Sequence, residues 1–313
     1  QEEFYQMRAF FESDLQLKER KLGNLTARVM HSGKPIKTHL MTRGDFRRQG
    51  EVVGAGYPAI ASPGAVKPQQ GNRRELATWL TRPDNALAMR VIANRLWQQH
   101  FGRPLVAPED FGTQSQLPTH PQLLDWLATE LPRRKWSLKA MHKLIVTSAT
   151  WRQASRNTPV DPNWKIRLSR DPENKLWSRQ SRRRLTGEML RDTMLAVSGS
   201  LSNRKGGPGV RPPLPREITS TLLKNQWPVS KGESDHRRRS IYLFARRNLR
   251  YPIFELFDRP ALAESCTARM VSTTAPQSLG LLNSEFTQTS AVRLAKHVIN
   301  EARTPPQQLT LCY

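Results

Sequence analysis

The chain has 313 residues, of which 50 are Lys or Arg and 26 are Asp or Glu, and its formal net charge is +24. It contains no run of about 18 apolar residues, which excludes a membrane-spanning helix. Its two cysteines form neither a CxxC pair nor a CxxCH motif, which excludes a cysteine-based zinc site and covalently attached c-type haem in this chain.

The first 71 residues combine one helical pattern with turns and one strand-like run. Residues 1–22 suit a helix with an apolar face formed by their phenylalanines and a methionine, and residues 23–37 suit a loop that holds at most a short strand. Residues 38–43 predict a strand that a Gly-Asp turn ends. Residues 50–71 are so rich in Gly and Pro that they predict a long ordered loop or a linker.

Residues 72–151 carry the strongest helix signals. Asn72 predicts the cap of a helix that continues to residue 80, and a second helix follows at 86–100, where Gly102 ends it. Thr119, with Gln122 as its capping-box partner, predicts the next helix start, and Ser137 predicts the cap of a helix through residue 148. Three helices joined by short turns predict a local bundle.

The helix at 86–100 has an unusual polar stripe. Its apolar residues cover nearly the whole circumference, which is typical of a buried helix. Arg90, Asn94 and Gln98 nevertheless recur every four residues along it, with Arg95 nearby. Because buried polar groups need partners, this stripe faces either a structural polar network or a cleft; the pattern modestly favours the network.

The second half of the chain alternates helical patterns with polar segments. Its predicted elements are a helix opened by Asp171-Pro172 that holds Leu176 and Trp177, a helix at 184–198 ended by Gly199, a Gly/Pro-rich excursion at 203–236, a strand at 240–245, and one long helix from residue 274 or 275 to residue 301. The fold class is therefore mainly α: an irregular helical bundle with one or two short β elements and long Gly/Pro-rich loops.

Nine motifs along the chain resemble a known family. They are RGD at 43–45, RELATWLTRPDNALAMRVIANRLWQQHFGRPLV from Arg74, EDFG from Glu109, PTHPQLLDWLA from Pro118, SLKAMHKLIVTSATWRQAS from Ser137, DPENKLW from Asp171, RRRLTGEMLRDTMLAVSG from Arg182, RRSIYL from Arg238 and STTAPQSLGLLNSEF from Ser272. Together they are similar to a planctomycete-specific domain family of unknown function, the C-terminal module of planctomycete cytochrome-associated multidomain proteins.

The resemblance implies an organisation but no reaction. It implies that residues 1–37 are the tail of a preceding domain plus a connector, that 38–301 form the family's helical domain, and that 302–313 begin a truncated C-terminal helix. It also implies a periplasmic or cell-surface location and upstream domains of the same protein as partners. No cofactor is expected in this part of the protein, and haem would belong to an upstream domain.

Several polar residues are candidates for catalysis. Glu188 and Asp192 lie four residues apart on one predicted helix, where paired carboxylates can hold a metal or divide acid and base roles. Neighbouring arginines favour a salt-bridged helix instead. His120, at a helix start, and Asp110, in a turn, complete a hypothetical polar cleft with Arg95; no metal site is predicted, because no histidine pair has ligand spacing.

Tryptophans supply the last candidate. Five of the eight, at positions 79, 97, 126, 151 and 177, fall beside leucines at helical positions and are expected in the core. Trp227, in the Gly/Pro-rich excursion, is expected to be exposed and able to bind a ligand, together with Arg90, Asn94 and Gln98.

Three functional hypotheses follow. The first is an accessory or scaffold module that contacts an acidic partner domain or an anionic polysaccharide, such as a sulfated one, because a surplus of positive charge needs a negative partner. The second is a hydrolytic or redox enzyme domain that acts on carbohydrate at the polar cleft. The third is nucleic-acid binding, which no helix-turn-helix, finger or aromatic-strand signature supports.

Overall fold

A computed structural model describes residues 1–23, 25–61, 67–107, 111, 115–156, 161–223, 226–261, 266 and 268–312. The chain divides into two compact units, Gln1–Ser181 and Arg182–Tyr313. In these residues the fold is mainly α, with thirteen helices and two small two-stranded sheets, which confirms the expected class. None of the helices described is long and apolar enough to cross a membrane.

The first unit begins with a short helix and a long hairpin. Helix α1 spans Glu2–Ala9, and strands β1 (Ser13–Leu22) and β2 (Leu25–Pro35) pair antiparallel. The prediction of one helix over residues 1–22 was therefore wrong after residue 9. The two strands pair residue for residue from Gln16↔His31 to Lys21↔Thr26, and this pairing with the next strand outweighs the local helix preference.

The second sheet confirms one strand and adds another. Strands β3 (Thr38–Met41) and β4 (Gln49–Val53) pair antiparallel, so the strand predicted at 38–43 is present. The loop predicted from residue 50 begins instead with the second strand. Gly50 permits this pairing, because a Cβ at that position would lie 2.9 Å from the carbonyl oxygen of Leu40.

Helix α2 (Arg73–Leu80) has the predicted cap. The Asn72 side chain accepts a hydrogen bond from the backbone N–H of Glu75 at 2.9 Å. Tyr57 stacks on Trp79 with ring centroids 4.5 Å apart. With Phe10 and Leu76 these rings form a small apolar core.

The main core of the first unit is the predicted bundle. It comprises α3 (Ala86–Phe101), α4 (Pro121–Arg133) and α5 (Leu138–Val146). Gly102 ends α3 with a positive φ of 78°, and Ser137 caps α5, as predicted. Helix α4 is capped at His120 instead of Thr119, because Pro121 occupies the first helical position.

The expectation that five tryptophans lie in a core is confirmed with one exception. Trp79, Trp97 and Trp177 are buried and Trp151 packs against the core, but Trp126 is 45% exposed. The predicted helix at Asp171-Pro172 is absent. Asp171 instead follows helix α6 (Trp164–Arg170), and its carboxylate accepts the backbone N–H groups of Lys175 and Leu176 in a turn.

The first helix of the second unit is α7 (Gly187–Val197), which Thr186 caps. The short helices α8 (Arg216–Thr219), α9 (Glu233–His236) and α10 (Pro252–Leu256) follow it. The strand predicted at 240–245 was wrong: Ser240–Tyr242 is a 3₁₀ turn, and only single bridges such as Val210 to Leu243 form. The core consists of Val210, Leu243, Ile253, Phe254 and Phe257.

The long helix predicted near the C-terminus is two helices. Helix α11 spans Ala275–Asn283 and α12 spans Glu285–Glu301, with Ser284 in extended conformation between them. The predicted start is right, since Thr274 and Gln277 form a capping box. Helix α13 (Pro305–Cys312) follows.

Candidate anion-binding site

Helix α7 positions the basic segment at 237–239 through one buried arginine. The Arg191 side chain is fully buried and donates to the backbone carbonyls of Arg238 at 2.8 Å and His236 at 2.6 Å. Asp192 then accepts the backbone N–H of Ser240 at 2.7 Å and lies 3.4 Å from the guanidinium of Arg239. Helix α7 therefore fixes both ends of this segment.

A second buried arginine anchors the same segment from within. Arg238 is 1% exposed, and its guanidinium donates to the backbone carbonyls of Arg204, Gly206 and Pro208. It also lies over the Tyr242 ring, 3.9 Å from the ring centroid. The neutral carbonyls accept hydrogen bonds from both terminal nitrogens of the Arg238 guanidinium without cancelling its charge.

The chain after this segment forms a small depression that is partly open to solvent. Its lining combines three arginines with apolar and aromatic side chains: Phe244, Ala245, Arg246, Leu249, Arg250, Tyr251, Arg259 and Pro260. Such a surface can offer hydrogen-bond donors to an anion and an apolar face to the body that carries it.

The three arginines of this depression are held by their neighbours. Arg246 donates to the carbonyl of Gln226 at 2.5 Å, and Arg250 lies 3.8 Å from Glu255. The Arg259 guanidinium lies 3.5 Å from Glu188 and 5.1 Å from the centroid of the Phe254 ring. Each guanidinium has five N–H donors in a rigid fork, so these contacts among the described residues orient it without using its full donor capacity.

Glu188 balances positive charge at the edge of this site. Its carboxylate lies 3.5 Å from Arg259 and 3.0 Å from Arg269. Burial acts to raise the pKa of Glu188, but the hydrogen bonds and charge of its partners, Arg269 foremost, outweigh burial and hold the pKa below its usual value. The group is therefore an ionised acceptor at neutral pH, unsuited to donating a proton.

The catalytic candidates fall in different places. Arg95 is exposed on α3, and His120 caps α4 with Nδ1 3.1 Å from the Thr119 hydroxyl. Glu188 and Asp192 share α7, where both contact arginines, whereas Asp110 lies outside the described residues. A joint catalytic role for these five residues stays a prediction.

The polar stripe of α3 contains members with different roles. Asn94 is fully buried and binds the backbone of residues 105 and 106, and Arg90 forms an ion pair with Asp125 at 2.6 Å. Gln98 is half-buried. The contacts of Asn94 and Arg90 are those of a structural network.

The expectation that Trp227 is exposed was wrong. Trp227 is only 8% exposed, and its indole N–H donates to the Pro212 carbonyl at 2.8 Å. The ring packs near Phe244, with centroids 6.3 Å apart. A Gly/Pro-rich sequence predicts an irregular backbone but does not reveal that the backbone folds over its own tryptophan.

Sequence reasoning missed the residues of the depression. Arg246 was visible only as one member of a short basic cluster, and Arg250 and Arg259 flank Tyr251 and α10 without any motif. A helix start at Pro252 was the one local signal that could have suggested a turn bringing the two arginines together.

Comparison with known proteins gave one match. The model of a protein family described as "Protein of unknown function (DUF1553)" matches residues 72–313, which is more than half of the chain. Searches of curated proteins and of solved structures found no match.

Proposed function

The chain belongs to the PSD1 family of proteins of unknown function, and on that premise we propose that it is a binding module for an anionic polysaccharide. The observation that carries the proposal is the depression lined by Arg246, Arg250 and Arg259. In this proposal the module is an accessory or scaffold part of a larger exported planctomycete protein associated with cytochrome domains, and any haem belongs to those domains. The resemblance of its motifs supports this setting.

The charge balance supports an external anionic partner. If each of the 26 carboxylates neutralised one of the 50 cations, the surplus of +24 would still remain. Ion pairs such as those of Glu188 and Asp192 therefore account for the acidic residues but not for the excess of basic ones. A polymer with repeated negative charges matches a surface of this kind.

The composition of the depression supports a sugar with sulfate or carboxylate groups. Arginine binds both groups through two parallel hydrogen bonds because its fork matches their geometry. Tyr251, Phe244 and Leu249 supply aromatic and apolar surface beside these donors, and the C–H face of a pyranose ring packs on such surface.

The test compares two double variants of equal charge. Arg246→Ala with Arg250→Ala removes two cations of the depression, whereas Lys296→Ala with Arg303→Ala removes two exposed cations elsewhere in the second unit. We expect the first variant to bind dextran sulfate or heparin at least about tenfold more weakly than the parent, since a hydrogen bond to a charged group contributes about 1.5–3 kcal/mol. The second should stay within about threefold of the parent, because exposed charges contribute little.

Binding is measured by titration at several salt concentrations. Equal losses in the two variants would show that diffuse charge, not this depression, binds the polymer. Absence of salt-dependent binding to any polyanion would overturn the proposal altogether. Parallel titrations with polyglutamate and with DNA decide the class of ligand: tighter binding of either than of the sulfated polymer contradicts a polysaccharide partner.

A further inference from the structure

Two histidines that are far apart in sequence meet at the surface of the first unit. His100 is in the last turn of α3 and His142 is in the middle of α5. His100 Nε2 lies 2.8 Å from His142 Nδ1, and the ring planes are inclined at 66°. Spacing along the sequence did not reveal this pair, because packing of α3 on α5 brings together residues 42 positions apart.

The pair is held in place by buried neighbours. Phe101 follows His100 and is 2% exposed, and Met141 precedes His142 and is fully buried. The edge of the His100 ring also packs on Trp151, with centroids 5.4 Å apart at 85°. Both imidazoles therefore project from backbone that the core fixes, an arrangement that reduces the cost of ordering two ligands for one ion.

From this geometry we propose that His100 and His142 form a binding site for a divalent transition metal with tetragonal geometry, Cu²⁺ first. Metal–imidazole bonds are about 2.0–2.1 Å long, so two ligands at 90° lie about 2.9 Å apart and two at the tetrahedral angle about 3.3 Å apart. The observed separation of 2.8 Å matches the first arrangement. Square-planar and tetragonal nitrogen sites select Cu²⁺ and Ni²⁺, and Cu²⁺ binds most strongly in the divalent series.

Binding at this site requires a change of tautomer in one of the two rings. In the neutral pair one ring nitrogen donates to the other, and the donated proton moves through solvent to the remaining nitrogen of the same ring when a metal takes its place. Both rings then keep one N–H each and present one lone pair each. Among the described residues no third His, Cys, Asp or Glu completes a cluster.

One nearby cation opposes the metal. Lys139 is three residues before His142 and therefore shares its face of α5. The charge of Lys139 lowers the affinity of the pair for any cation. We therefore expect Lys139→Ala to increase the affinity for Cu²⁺ about twofold or more.

The experiment is a Cu²⁺ titration of the full chain that is monitored by tryptophan fluorescence and by electron paramagnetic resonance. Bound Cu²⁺ quenches a neighbouring tryptophan, and Trp151 contacts His100, so we expect saturable quenching at one equivalent. The resonance spectrum should be tetragonal, with hyperfine splitting from two nitrogens. Trp151→Phe should reduce the quenching while calorimetry shows binding unchanged.

Single variants decide the outcome. His100→Ala and His142→Ala should each weaken Cu²⁺ binding at least about tenfold, since the loss of an outer-shell partner alone already costs about 10–100-fold at metal sites. His142→Gln serves as a second variant of the exposed position, and circular dichroism confirms folding. His120→Ala, which removes an exposed histidine from another helix, should bind like the parent. Parent-like binding by either pair variant, equal loss in His120→Ala, or unsaturable quenching overturns the site.

Discussion

At the scale of single residues, the contacts of Asn94 show that this member of the polar stripe of α3 belongs to a structural network. Its side-chain nitrogen donates to the Val106 carbonyl at 2.9 Å, and its oxygen accepts the backbone N–H groups of Leu105 at 2.7 Å and Val106 at 3.2 Å. One fully buried amide therefore satisfies three backbone groups where the chain leaves α3. Arg90, four residues earlier, lies partly in solvent with Asp125.

Asn94→Ala should destabilise the protein by about 3 kcal/mol or more, because it leaves two backbone N–H groups and one carbonyl buried without partners, at about 1–3 kcal/mol for each group. The measurement is the urea unfolding midpoint followed by circular dichroism. Arg90→Ala is the matched control on the same helix and should cost about 1 kcal/mol or less, because its ion pair is exposed. Equal losses for the two variants would contradict the structural role of Asn94.

At the scale of elements, local signals located several helix starts but not the side-chain hydrogen bonds and ion pairs that join separate segments. Asn72, Ser137 and Thr274 were correctly placed as caps. Asp171 was assigned to a helix start from its Asp-Pro dipeptide, although its carboxylate closes a turn, because the same side-chain chemistry serves both structures. The hydrogen bonds that join the residues after α10 to those before α11 carried no sequence signal.

Asp258 accepts these hydrogen bonds. Its carboxylate accepts the Ser272 backbone N–H at 2.8 Å and hydroxyl at 2.9 Å, and the Arg184 guanidinium lies 2.6 Å from it. The backbone N–H of Ser272 does most to lower the pKa of Asp258, followed by the Ser272 hydroxyl; burial opposes them, and the charge of Arg184 lowers the pKa further.

Asp258→Asn should lower stability at neutral pH and lose this effect in acid. The unfolded pKa of aspartate is about 3.9 and the folded value lies below it, so the ionised carboxylate stabilises the fold above about pH 4. That contribution disappears as the pH falls from about 4 through the folded pKa. Urea midpoints of parent and variant, measured at pH 7, 4 and 3, should therefore converge; a constant difference would contradict the assignment.

At the scale of the whole molecule, positive charge dominates. Carboxylates such as Glu188, Asp192 and Asp258 are engaged by arginines, and the surplus of +24 remains. Many of the ion pairs are exposed and contribute about 0–1 kcal/mol each, so we expect mutual repulsion among the surplus cations to outweigh them.

Added salt should therefore raise the melting temperature. The Debye length falls from about 30 Å at 0.01 M to about 10 Å at 0.1 M, which screens repulsion between distant cations more than attraction within close pairs. Calorimetric scans at the two concentrations of sodium chloride test this, and a saturating sulfated polymer should raise the melting temperature further by binding the folded state. A melting temperature that falls with salt would show that attractive pairs dominate.

The sequence by itself determined the mainly α class, the bundle of α3, α4 and α5, the helix caps at Asn72, Ser137 and Thr274, and the positive charge. These depend on signals that act within one or two turns of the chain, or on a count of residues. Only the tertiary structure decided the β1–β2 hairpin, the burial of Arg191, Arg238 and Trp227, and the meeting of His100 with His142. The arginine-lined depression belongs to this second group, because it depends on packing between segments that no local pattern connects.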